Sequence, residues 1–105
     1  FVKLLAADDM LLQAVSGEVQ ARAGELKPQE LSNIIWAFAT LGFTSNLKAL
    51  HAIAGEVAQY TYRFKPQELA NIAWAFSTLG VMDERVFHAI AVQALKKVHQ
   101  FKPQE

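Results

Sequence analysis

The chain has 105 residues, with ten Lys or Arg balanced by ten Asp or Glu. No net field would draw it to a polyanion, so any nucleic-acid surface must arise from local clustering. Cysteine is absent, which excludes disulfide frameworks and thiolate metal sites and fits a reducing compartment. No uninterrupted apolar run approaches the ~20 residues needed to span a bilayer, and no targeting segment is visible, so membrane insertion is not expected.

Residues 1 to 7, FVKLLAA, read as the end of an earlier unit, and Asp8 and Asp9 are candidate caps for a helix running to about Ala23. Lys27 then opens KPQELSNIIWAFATLG, which ends at Gly42 and returns 38 residues later as KPQELANIAWAFSTLG from Lys65 to Gly80. KPQE occurs a third time from Lys102, and the Gly-Glu-Val of Gly17 to Val19 returns at Gly55 to Val57. A fixed period of 37 to 38 marks stacked supersecondary units. The chain divides into a partial repeat 1–26, repeats 27–64 and 65–101, and the start of another at 102–105. It opens at Phe1 without an initiator methionine and stops as a repeat begins, with no polar capping repeat at either end. It is therefore expected to be an excerpt of a longer array.

Within each repeat, proline stands at a first helical position, glutamate follows two residues later near the positive end of the dipole, and glycine ends the pattern. These A helices are predicted from Pro28 to Leu41 and from Pro66 to Leu79. A short turn follows each, Phe43-Thr44 and Val81-Met82. Then comes a B helix capped by Ser45 or Asn46 and running to about Tyr62, or capped by Asp83 and running to about Val98. No stretch alternates at period two, so no strand is expected. Two antiparallel helices cannot bury their apolar faces alone. The predicted fold is an all-α α-solenoid of stacked antiparallel helical hairpins, of either hand.

At about 100° per residue, Leu31, Ile34, Phe38 and Leu41 share one stripe of the first A helix, as do Leu69, Ile72, Phe76 and Leu79 in the second. These stripes are the predicted core, with Leu31, Ile34, Phe38, Leu69, Ile72 and Phe76 buried. Opposite lie Gln29, Asn33, Trp36 and Thr40, matched without change by Gln67, Asn71, Trp74 and Thr78. As a ligand surface, this face would stack a base on the indole and hydrogen-bond another through the asparagine. As a packing surface, the tryptophans would wedge between A helices while the asparagines tie down backbone groups. Positions that read successive bases must differ between repeats, and these do not. Trp36 and Trp74 are therefore expected to pack mainly against the neighbouring repeat. What differs is one flank, Ser32, Ile35 and Ala39 against Ala70, Ala73 and Ser77, which would either discriminate ligands or form a close helix contact.

Lys27, Lys65 and Lys102 recur just before the helical proline, and stacking would line them along one edge about 10 Å apart. They are candidate phosphate contacts, helped by the unpaired N–H groups of the helix ends, with Asn33, Asn71, Ser32 and Ser77 as candidates for facing the bases. Glu30, Glu68 and Glu105 recur three residues on and oppose that field, whereas Arg63, Lys96 and Lys97 reinforce it. The alternative is plain solvated surface charge. His51 and His88 recur on the B helices, but no second ligand accompanies them at metal-ligand spacing. They are read as partly exposed helix residues. The chain has no Gly-rich phosphate loop, nucleophile motif or paired carboxylates, so neither enzymatic activity nor a cofactor is expected.

The 38-residue period, the Pro-x-Glu-Leu start and the Trp-Ala-Phe-x-Thr-Leu-Gly end of the A helix resemble the octotricopeptide repeat family over nearly the whole chain. Related 37-residue repeats of organellar proteins with a RAP domain are the next most similar, and no RAP domain is visible. In the octotricopeptide pattern, Pro-Pro-Pro-Glu-Trp precedes Leu-Trp-Ala-Leu. Here Lys65-Pro66-Gln67-Glu68-Leu69 carries leucine in place of that first tryptophan, while Trp74-Ala75-Phe76 keeps the second part. The resemblance implies a helical-hairpin solenoid in a chloroplast or mitochondrion that binds single-stranded RNA and acts in transcript stability, processing or translation. The alternative it leaves open is a protein-binding scaffold in a large organellar assembly.

Overall fold

The computed structural model describes residues 9–81 and 83–100, the side chains of residues 97–100 excepted. It comprises helices α1 (Asp9–Arg22), α2 (Pro28–Leu41), α3 (Leu47–Gln59), α4 (Pro66–Leu79) and α5 (Glu84–Gln100), with 3₁₀ turns at Ala23–Glu25 and Thr61–Arg63. No strand occurs among the described residues. Helices α2 and α4 have the predicted A-helix bounds. The B helix α3 ends earlier than expected, because its last residues tighten into the 3₁₀ turn that leads to the next proline. Expectations for residues 1 to 8, for Met82 and for the third KPQE, including Lys102 and Glu105, fall outside the described residues.

Local backbone chemistry sets the ends of the A helices. Pro28 and Pro66 occupy the first turn, where a missing N–H costs nothing. The Glu30 carboxylate accepts the backbone N–H of Lys27 at 2.8 Å, and Glu68 that of Lys65 at 2.7 Å. This is half of a capping box; a lysine ammonium has no lone pair with which to supply the reciprocal bond. At the other end Gly42 and Gly80 adopt φ of 65° and 72°, a left-handed conformation that a side chain would strain. They let Phe43 N–H reach the Phe38 carbonyl at 2.8 Å and Val81 N–H reach that of Phe76 at 3.0 Å, closing both helices with a Schellman motif.

The principal packings join corresponding helices of successive repeats, α2 against α4 and α1 against α3 against α5, while partners within a hairpin touch less. The result is an A layer and a B layer sharing one core. Leu31, Phe38, Leu69, Ile72 and Phe76 are buried as predicted, together with Leu50, Ile53, Val57 and Val86 from the B layer. Ile34 is a correction. It is only partly buried, and its neighbour Ile35 is fully enclosed instead. The cause is lateral packing, because α4 covers the side of α2 that carries Ile35 and leaves Ile34 on the opposite side. The counterpart Ile72 is fully buried, on the side of α4 that meets α2.

Polar bonds tie the B layer across repeats. Asn46, the cap of α3, accepts the Ala49 N–H at 3.1 Å through its Oδ1 and donates from Nδ2 to the Ser16 hydroxyl of α1 at 3.2 Å. Asp83 caps α5 and lies 3.6 Å from His51 Nδ1 of α3.

Candidate nucleic-acid interface

The A layer turns one face to solvent. Gln29, Asn33 and Thr40 of α2 and Gln67 and Thr78 of α4 are exposed, and Asn71 is partly so. Trp36 is 41% and Trp74 47% exposed on the same face, so the wedge expected between A helices is only partial. Neither the Asn33 nor the Asn71 amide has a hydrogen-bond partner among the described residues. The asparagines therefore do not tie down backbone groups, and their donors and acceptors are open to a ligand. Thr40 instead turns back on its helix, donating to the Trp36 carbonyl at 2.9 Å.

The varying flank is a helix contact in the first repeat. Ser32, Ile35 and Ala39 are 2%, 0% and 5% exposed, closed over by α4. Ser32, a candidate for facing bases, is thus removed from that role. On α4 the equivalent side is open, with Ala70 and Ser77 exposed and Ala73 partly so. Ser77 is accessible, but it lies on the lateral side of α4 and not on the tryptophan face.

Lys27 and Lys65 stand exposed at the N-terminal edge of the A layer, and neither forms an ion pair among the described residues. Glu30 and Glu68 accept the backbone N–H groups of these lysines at the caps and keep their negative charge beside them. The preceding turns differ between repeats. Arg22 is held by Glu25 at 3.4 Å and Glu18 at 3.7 Å; the hydrogen bond and charge of Glu25, then the charge of Glu18, raise its pKa. One repeat later, Arg63 takes the place of Glu25 and lies 4.5 Å from the Tyr60 ring centroid and 5.9 Å from that of Tyr62. Sequence reasoning noted Arg63 but passed over the tyrosines. The interleaved Tyr-Thr-Tyr-Arg beside Lys65 was the available signal.

On the B layer, Asp83 accepts bonds from Arg85 N, Nε and Nη2 at 3.0, 3.2 and 2.9 Å. The Arg85 side-chain bond holds the Asp83 carboxyl below its usual range despite the opposing effect of burial. His51 joins this cluster as a structural neighbour, and His88 is exposed. No group of three potential metal ligands occurs among the described residues, nor is any helix among them long and apolar enough to cross a membrane.

No curated protein and no solved structure matches the chain significantly. A family model for the N-terminal domain of the Tbc2 translation factor matches residues 2–104. That match spans nearly all of the sequence, and the chain belongs to the family of Tbc2 translation factor N-terminal domains.

Proposed function

We propose that this chain is a segment of an octotricopeptide-type α-solenoid that binds single-stranded RNA and acts, without enzymatic activity, in translation within a chloroplast or mitochondrion. The observation that carries the reading is the open A-layer face, where two half-exposed indoles stand beside two unpartnered asparagine amides. Trp36 and Trp74 supply stacking platforms, Asn33 and Asn71 hydrogen-bond base edges, and Lys27, Lys65 and Lys102 take phosphates along the N-terminal edge. Kinship with a translation factor domain supports the translational role, and the 38-residue internal period supports the solenoid.

The equal count of acidic and basic residues favours a second reading, a scaffold that holds a protein on the same face. Salt separates the two. Three lysine–phosphate contacts give a log K against log salt slope of roughly −2 for a single strand, at about −0.7 per contact. Titrating the full-length protein with single-stranded RNA at several salt concentrations should show that slope. Changing all three lysines to Gln should flatten it, while Trp36→Ala with Trp74→Ala should weaken binding at constant slope. Unchanged affinity in both variants, or no RNA binding at low salt, would favour the scaffold.

A further inference from the structure

We infer that the 3₁₀ turn Thr61–Arg63, with Lys65, is a clamp for one nucleotide of single-stranded RNA, set at the edge of the array and apart from the tryptophan face. The base stacks on Tyr62, and the adjoining phosphate is held by the Arg63 guanidinium and the Lys65 ammonium. The inference rests on the RNA-binding reading above and adds to it a site of defined chemistry.

Three features carry it. Tyr62 is 68% exposed, so most of its ring is open for stacking although its tyrosine and arginine neighbours are close. Arg63 is held by aromatic faces and not by acid. The Tyr60 and Tyr62 rings stand 6.3 Å apart at 67°, and the guanidinium lies by both. A guanidinium beside an aromatic ring keeps its charge and, unlike one bound to a carboxylate, does not spend its N–H donors on the contact, so they remain available to a phosphate. Arg63 forms no ion pair among the described residues, even though Glu56 lines the same crevice.

Position is the third feature. Arg63 shares that crevice with Pro28 and Leu31 of α2 and with Phe64, which puts it between the N-terminal ends of α2 and α4, each preceded by an exposed lysine. The first repeat lacks all of this. Gly24 stands where Tyr62 does one repeat later and Glu25 where Arg63 does, while Arg22 is neutralised by two glutamates. The clamp belongs to one repeat and would fix the register of the strand.

The test uses the full-length protein and fluorescein-labelled oligo(U) and oligo(A) of roughly 15 nucleotides, titrated by anisotropy at several salt concentrations. Tyr62→Ala should weaken binding about 5- to 150-fold with the salt slope unchanged, and Tyr62→Phe should restore it. Arg63→Gln should weaken binding and reduce the slope by about 0.7. Grafting the clamp as Arg22→Tyr with Gly24→Tyr and Glu25→Arg should tighten binding; the nearest atoms to a Cβ at Gly24 are those of the Glu56 carboxylate, at ordinary contact distance. If the wild type binds RNA and Tyr62→Ala binds it equally well, the clamp is overturned and the RNA reading stands. If the wild type binds neither oligonucleotide, both fall. Loss of a protein partner from Tyr62→Ala with RNA affinity unchanged would assign the turn to protein docking and overturn the clamp.

Discussion

Ala39 and Ser77 occupy the same place in successive A helices, yet one is enclosed and the other open, so the same new side chain at the two positions should have opposite consequences. Ala39 is 5% exposed beneath α4. Ala39→Leu forces an isobutyl group into a contact built for a methyl, and overpacking of this kind costs about 1–3 kcal/mol. Each kcal/mol shifts Tm by about 4–8 °C in a chain near this size, so the melting point should fall by roughly 4 to 24 °C. Ser77→Leu places the same group in solvent, and leucine is the better helix former. Stability should stay within about 0.5 kcal/mol, a shift of no more than roughly 4 °C. Far-UV circular dichroism melts of the two variants, with urea titrations alongside, decide the matter. Equal destabilisation of both, or a loss of more than about 1 kcal/mol from Ser77→Leu alone, would show that α4 is laterally covered and refute the packing described above.

Two further outcomes follow from the core and the B layer. Phe76 is fully buried, and Phe76→Ala should cost about 3–5 kcal/mol, a large share of a total stability of roughly 5–15 kcal/mol; chemical denaturation would register it. The Asp83 carboxyl is held below its usual range by Arg85, so its contribution is present above the unfolded pKa of about 3.9 and is lost as pH falls through the lower folded value. Melts between neutral and strongly acidic pH should show an acid-side loss of stability in the wild type that is smaller in Asp83→Asn, and an identical pH profile would contradict the stabilisation of the Asp83 carboxylate by Arg85.

The A helices were legible in the sequence because proline at the first position and glycine past the last are constraints of the backbone itself. Pro28 and Gly42 need no tertiary information to act. The B helices were less so. Nothing local says that α3 yields to a 3₁₀ turn at Thr61, because that turn is set by the distance to the next repeat. Ile34 was misplaced for a related reason. A helical wheel finds the stripe facing the B layer, but an A helix in this fold is buried on a second side by its lateral neighbour, and only the packing of α2 against α4 shows which side that is.

The same lateral packing limits the inference that linked sameness to structure. Ser32, Ile35 and Ala39 differ from Ala70, Ala73 and Ser77 because a contact between two particular helices needs only mutual fit. A serine or isoleucine on α2 is accommodated by the α4 surface it meets, whereas the equivalent side of α4 meets no helix among the described residues. The unchanged face is covered by no helix among the described residues, although its tryptophans are more than half buried. Trp36 and Trp74, 41% and 47% exposed, are packed over slightly more than half of their surface while Asn33 and Asn71 remain unbonded, so packing accounts for only part of their repetition. An external partner that repeats along the array, as proposed above, would account for the rest. A polynucleotide offers a similar sugar, phosphate and π-face at each step, and an indole with an amide recognises those shared features without choosing between bases. In that proposed reading, selectivity comes from places where the repeats diverge and remain accessible. Among such places is the Tyr62–Arg63 turn, where the first repeat carries Gly24 and Glu25.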